Sequence, residues 1–164
     1  MNRLNKIGAG MMIGICADIY SHCENPLVGA FLFGLGLTTV CACDLPLFTG
    51  RVGGAKKDQV SDMVSIFIWN VIGIVILFLI MHLFPAGFVK GFGCGILMQT
   101  GVTLYKKGLR WATPVCIMAF LCAGYIHCIA MLYSWQPINY FIWAQVVLGN
   151  ILGAKIIYWL GVKQ

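Results

Sequence analysis

Long apolar segments, separated by short polar ones, fill almost the whole chain of 164 residues. A helix needs about 20 mostly apolar residues to cross a hydrocarbon core of roughly 30 Å. Six segments reach this length, and in the cleanest, 62–84, only Ser65, Asn70 and His82 interrupt the apolar run after Val64. The pattern therefore predicts an all-α integral membrane protein with six transmembrane helices. The predicted spans cover residues 6–23, 27–43, 62–84, 87–105, 111–133 and 138–161.

The composition supports this class of protein. Hydrophobic residues make up 60% of the chain and charged residues only 10%, with a mean hydropathy of +0.90, whereas a typical soluble domain is about 25% charged. We therefore expect contact with membrane lipid and no separate soluble domain. Trp135 is expected to anchor one membrane interface.

The basic residues predict the orientation in the membrane. The net charge is +6, and with a cytoplasmic N-terminus and six crossings only Lys90 among the eleven Lys and Arg residues lies on the outer side. An excess of positive charge on the cytoplasmic side is the usual signature of membrane topology. We expect a multi-pass protein of the cell inner (plasma) membrane with both termini cytoplasmic, and no nucleic-acid partner.

The second and fifth spans both carry signals that interrupt a helix. Pro46 cannot donate a helical hydrogen bond and Gly50 favours a helix end, which makes the segment 47–49 a candidate pore-lining element. The alternative is that Pro46 ends the helix at the membrane edge. The fifth span is interrupted near Gly124. Paired interruptions in two three-span sets predict an inverted 3+3 repeat with a transport site between the repeats. We predict one domain over 1–164, with halves of about 1–57 and 58–164.

His127 is the one ionisable residue in the apolar stretch 119–133. On a helix it would share a face with Phe120, Gly124 and Met131. A titratable group within a span is costly to keep there, and it therefore points to function. The alternative is a helix-packing histidine that is hydrogen-bonded to a neighbour.

Four other polar residues bear on the predicted pore. Gln99 lies at mid-span depth, and Asn150 can bond across to a broken neighbouring helix. Lys90 either snorkels to the interface or draws anions towards the pore. Asp18 is interpreted as an acid in a water-filled mouth or as a cap on a neighbour.

The eight cysteines are interpreted as packing residues. Free cysteine behaves as a small hydrophobe in packed interiors, and no pair has the spacing of a zinc site with histidine partners. We expect no disulfide framework, no metal and no cofactor.

Four motifs, taken in order, resemble those of the formate/nitrite transporter family. They are Phe-Gly-Leu-Gly-Leu at 33–37 followed by Asp44 and by Leu-Phe-Thr-Gly at 47–50, Gly-Ile-Leu at 95–97 followed by Gln99, Ala-Gly-Tyr-Ile-His-Cys-Ile-Ala at 123–130, and Gly-Asn-Ile-Leu-Gly at 149–153. The chain departs from the family pattern at four positions. These are Pro46, Gln99 in place of asparagine, Ile126 in place of glutamate and Met131 in place of asparagine.

The resemblance implies an aquaporin-like protomer, a homopentamer and one pore in each protomer. It implies that His127 is the central pore histidine and that Thr49 is its partner on the second-helix loop. Leu47, Phe48 and Phe120 would contribute to the apolar constrictions.

The predicted function is a passive or proton-coupled channel or transporter, not an enzyme, for small monovalent anions or their weak acids, such as formate, nitrite or hydrosulfide. An anion would be captured, neutralised near His127 and Thr49, and released on the far side. The alternative is a channel for small neutral solutes such as urea or ammonia. A haem-binding membrane subunit using His22, His82 or His127, or a non-conducting assembly subunit, stay open as further classes.

Overall fold

The computed structural model describes residues 2–133 and 137–163, and within them the regular structure is entirely helical. Eight α-helices lie in this part of the chain, with short 3₁₀ turns at Val52–Gly54 and Lys57–Gln59. The helices are α1 (Arg3–His22), α2 (Pro26–Ala42), α3 (Phe48–Arg51), α4 (Val60–Leu83), α5 (Ala86–Lys106), α6 (Ala112–Cys122), α7 (Cys128–Leu132) and α8 (Tyr140–Trp159). The proposed anchor Trp135 falls outside the described residues.

Asparagine side chains begin three of the long helices. Asn2 accepts a hydrogen bond from the first turn of α1, and Asn25 and Asn139 accept two bonds each at the starts of α2 and α8. Asparagine is a favoured N-cap because its oxygen satisfies amide groups that have no partner within the helix. Pro26 follows Asn25 at the first helical position, where its missing amide costs nothing.

Two of the described helices, α4 and α8, are long and apolar enough to cross a membrane. Their most apolar windows have mean hydropathies of 2.7 and 1.5, and only 22% of each window is buried within the chain. The 24 residues of α4 extend about 36 Å, slightly more than a hydrocarbon core. The all-helical class is thus confirmed with two candidate spans, and the arrangement of six spans stays a prediction.

The chain contains two halves with equivalent helix contacts. In the first half α1 crosses α4, and a Cβ on Gly10 would lie 2.0 Å from the carbonyl oxygen of Asn70. In the second half α5 crosses α8, and a Cβ on Gly95 would lie 2.2 Å from the carbonyl oxygen of Asn150. These pairs lie on either side of the turn between α4 and α5, near residue 84. The halves of about 1–57 and 58–164 stay a prediction.

The middle of α5 forms the best-buried part of the molecule. All residues from 91 to 97 are buried. Phe92 and Ile96 have no exposed surface, and the same holds for Met11, Met12 and Ile15 of α1. Three glycines within 91–97 leave room for neighbouring helices to approach the backbone of α5. Small residues serve this purpose in membranes, where the hydrophobic effect does not drive helices together. This central helix provides backbone partners at the second of the two broken segments described below.

We expect Gly95→Ala to destabilise the protein by about 1–3 kcal/mol, as overpacked sites do. The added methyl would meet the backbone of α8 at 2.2 Å, so the two helices must move apart. Gly34→Ala is the matched control, since nothing lies within 4 Å of its Cβ position. There alanine should be neutral or stabilising by up to about 1 kcal/mol, because it favours the helix. Thermal unfolding in detergent measures both, and equal melting temperatures would contradict the close-crossing interpretation.

Candidate functional site

The second predicted span is broken after Ala42, and we call residues 43–47 the first break. The amide of Leu45 closes the end of α2 by donating to the carbonyl of Val40 at 2.9 Å. Asp44 takes a φ of +48°, a left-handed conformation in which aspartate is one of the few tolerated side chains. Pro46 follows, and the short helix α3 starts at Phe48. The chain is therefore interrupted between α2 and α3 at Pro46, and whether this point lies within the membrane or at its edge stays a prediction.

The fifth predicted span is broken in the same way, and we call residues 123–127 the second break. The amide of Tyr125 donates to the carbonyl of Phe120 at 2.9 Å, and Gly124 takes a φ of +66°. Helix α7 then starts at Cys128. The position before α7 belongs to His127, and the position before α3 belongs to Leu47. The two breaks thus repeat one backbone pattern with different side chains.

Asn70 of α4 holds the first break in place. Its side-chain oxygen accepts from the amide of Phe48 at 2.9 Å, and its nitrogen donates to the carbonyls of Pro46 at 3.0 Å and Lys6 at 2.7 Å. One buried amide side chain therefore satisfies two backbone groups that the interruption would otherwise leave without partners, and it ties them to α1 through the carbonyl of Lys6. In the sequence, Asn70 stands out only as a polar interruption of a span.

Asn150 of α8 holds the second break through the same three kinds of bond. Its oxygen accepts from the amide of Cys128 at 3.1 Å, and its nitrogen donates to the carbonyls of Ile126 at 3.1 Å and Gly91 at 2.8 Å. The bond to a broken neighbour that the sequence suggested for Asn150 is therefore present. A repeated spacing could have revealed Asn70 as well, since each asparagine is followed three positions later by a glycine.

Leu47 and Thr49 lie between two cavities at the first break, and Phe48 lines one of the two. One cavity, of about 420 Å³, is almost entirely apolar, and the other, of about 380 Å³, carries Asp44 and Arg51 at its edge. Both open onto the surface of the single chain. Three residues line both cavities, namely Leu37, Leu47 and Thr49.

Phe48 and two charged side chains complete the walls of these cavities. The ring of Phe48 packs edge-on against Phe67, with centroids 5.3 Å apart. Asp44 and Arg51 form an ion pair of 3.0 Å. A small solute passing from one cavity to the other would therefore leave a charged edge and meet an apolar wall.

His127 is held in one tautomer by the helix that follows it. Its Nδ1 accepts a hydrogen bond from the amide of Ile129 at 3.3 Å, so this nitrogen carries a lone pair. The neutral ring then bears its proton on Nε2, as a donor. Protonating Nδ1 would break the bond that caps α7. In the tautomer that keeps this bond, the half-buried histidine has its Nε2–H free to donate a hydrogen bond.

Lys90 and Phe120 contribute to the second break through their backbones. The carbonyl of Lys90 accepts from the amide of Ile126 at 3.2 Å, while the Lys90 residue as a whole is exposed. Phe120 is half-buried, and its carbonyl accepts the hydrogen bond from the Tyr125 amide that closes α6. Both predicted residues therefore lie next to the segment that carries His127.

Tyr125 and Asp18 form a contact that the sequence analysis did not find. The hydroxyl of buried Tyr125 donates to the Asp18 carboxylate at 2.5 Å and so ties the second break to α1. The same carboxylate lies 3.7 Å from Nδ1 of His22. The two partners are 107 positions apart, so no local spacing signals the bond.

Gln99 lies apart from both breaks. Its side-chain nitrogen donates to the hydroxyl of Thr103 at 3.1 Å and to the carbonyl of Val162 at 3.5 Å. With Lys155 and Tyr158 it lines a separate cavity of about 510 Å³ between α5 and α8. A role for Gln99 in the same pore as His127 stays a prediction.

The two breaks lie near opposite ends of α5. The second break is bonded to Lys90, whereas Cys43 of the first break lies beside Lys107 and the backbone of Lys163. The helical stretch between the two lysines extends about 25 Å. Within the described residues no hydrogen bond joins Thr49 to His127, so the implied partnership is not made directly.

No group of three or more His, Cys, Asp or Glu side chains in the described ranges is arranged to hold a metal ion. No family model, curated protein or solved structure matches the chain.

Proposed function

We propose that this protein is a multi-pass membrane channel or transporter for small monovalent anions or their weak acids. The observation that carries the proposal is the pair of broken helices at corresponding positions, each held by a buried or half-buried asparagine. Interrupted helices in corresponding positions of two repeats are the pattern that marks transport sites in membrane proteins. Irregular backbone at membrane depth is tolerated where it faces protein or a water-filled cavity.

The chemistry of the two breaks suits a solute that changes its charge along the way. An unpaired anion entering the apolar cavity beside Phe48 would lose several kcal/mol or more of hydration energy. The corresponding neutral acid would lose far less. An arriving anion accepts a hydrogen bond from Nε2–H of His127. The ring takes up a second proton from water and passes the Nε2 proton to the anion, which leaves the ring neutral. The acid then passes the apolar constriction formed by Leu47 and Phe48.

The outer surface of the chain supports a membrane setting and an assembly of several copies. Helix α4 exposes a row of large apolar side chains that only lipid or another protein surface can cover. They include Val64, Phe67, Ile68, Val71, Ile74, Val75, Phe78 and Leu79. Both cavities at the first break open to the side of a single chain, and a neighbouring copy in a homopentamer would close them. The distribution of the basic residues supports a cytoplasmic position for both termini.

Flux into proteoliposomes tests this function. Formate, nitrite, hydrosulfide, acetate and urea are compared at several pH values. We expect uptake of the small anions that increases at acid pH, and little flux of urea. Leu37→Trp should reduce flux of every permeant solute, because Leu37 lines both cavities and the larger side chain fills the passage between them.

Leu148→Trp serves as the control, since it adds the same bulk to an exposed apolar position of α8 and should leave flux unchanged. Urea flux without anion flux would show that the protein conducts neutral solutes and not anions. Absence of flux for every solute in a correctly folded protein would reject the channel itself.

A further inference from the structure

Cys23 and Cys122 meet at one open cleft although they are far apart in the sequence. Cys23 ends α1 and Cys122 is the last residue of α6. Both line a cleft of about 320 Å³ together with His22, Glu24 and Asn25. Their thiol groups are close enough to interact electrostatically. Two helices from different halves of the chain thus present one thiol each to the same space.

These two thiols differ from the cysteines that fill the core. Cys16, Cys94 and Cys116 are buried, where a thiol acts as a packing group that solutes do not reach. Cys23 is half-buried and Cys122 is exposed, so a small oxidant in the cleft can reach both sulfur atoms. The packing role that the sequence suggested for all eight cysteines therefore fits the buried ones best.

We propose that Cys23 and Cys122 are a redox-active pair that closes reversibly to an intramolecular disulfide. The oxidant is a small-molecule disulfide. The thiolate of one cysteine attacks a sulfur of this molecule, forms a mixed disulfide and releases one reduced thiol. The second cysteine then attacks the mixed disulfide, forms the Cys23–Cys122 bond and releases the second thiol. The protein loses two hydrogens and two electrons, and both pass to the small molecule.

The position of the pair gives the disulfide a structural consequence. Cys122 directly precedes the second break, and Tyr125 within that break is already bonded to Asp18 of α1. A Cys23–Cys122 bond would add a covalent link between the same two parts of the chain. The second break would then be fixed to α1 at two places, and rearrangement of the segment that carries His127 would be restricted. This consequence for transport rests on the proposed function, whereas formation of the disulfide does not.

The experiment treats purified full-length protein in detergent with oxidised glutathione and identifies the products by peptide mass spectrometry after alkylation. We expect a peptide pair joined between Cys23 and Cys122 that reductant separates again. Cys41→Ser is the matched control, because Cys41 is exposed but lies near the first break, and it should leave the cross-link intact. Cys23→Ser should abolish the cross-link and leave Cys122 carrying glutathione.

Two results would contradict the proposed intramolecular disulfide. One is glutathione on both cysteines without a link between them, and the other is a link that joins two copies of the chain on a non-reducing gel.

Flux in oxidised and reduced proteoliposomes is then compared. A several-fold fall in flux on oxidation that is absent in Cys23→Ser supports the restriction of the second break. Unchanged flux would overturn that restriction alone. Absence of flux in both states would count against the channel and leave the mass-spectrometric result standing.

Discussion

Replacing Asn70 with leucine is expected to lower the free energy of unfolding by several kcal/mol. Leucine is similar in size, so the change removes polar atoms rather than volume. The amide of Phe48 and the carbonyls of Lys6 and Pro46 would each lose their side-chain partner. The Phe48 amide and the Pro46 carbonyl lie in the break and would be left without a hydrogen bond, which costs about 1–3 kcal/mol for each buried group. Thermal unfolding in detergent and the yield of monodisperse protein measure the loss.

Asn139→Ala is the control with which the loss of stability in Asn70→Leu is compared. Asn139 caps α8 at an exposed position with two backbone bonds, and loss of such a cap typically costs about 1 kcal/mol. Asn150→Leu should resemble Asn70→Leu, because it holds the second break by the same three kinds of bond. If Asn70→Leu melts no lower than Asn139→Ala, the asparagine does not hold the break.

The sequence predicted the helices well where local pattern decides the structure. The apolar run predicted at 62–84 became α4 at Val60–Leu83, and that at 87–105 became α5 at Ala86–Lys106. Both interruptions were found, because Pro46 and Gly124 leave local signals in the chain. Helix type and helix ends depend on neighbouring residues, and one sequence is enough to recognise them.

The contacts that hold the site could not be predicted in the same way. The bond from Tyr125 to Asp18 joins residues 107 positions apart, and it exists only because α1 passes the second break. Whether a polar residue in an apolar run faces lipid, a pore or a broken helix depends on the packing of other helices. Asn70 shows the difference, since its place in the chain marks a polar interruption and its three bonds make it structural.

His127→Asn is expected to reduce anion flux about tenfold or more and to remove its increase at acid pH. Asparagine keeps the structural part of the residue, because its side-chain oxygen can cap α7 as Nδ1 of His127 does now. It also keeps a hydrogen-bond donor but has no imidazole ring that can take up and pass on a proton. The substitution therefore separates the ring chemistry from the fold of the second break.

The other two described histidines provide controls for this test. His22 and His82 are exposed, and each bonds a backbone carbonyl within its own helix. Their change to asparagine should leave flux and its pH dependence in place. Full flux with an unchanged pH profile in His127→Asn would show that the proton comes to the anion without the ring. In that case the solute crosses the constriction beside Leu47 and Phe48 as an acid formed in water, and the apolar first break alone sets the selectivity.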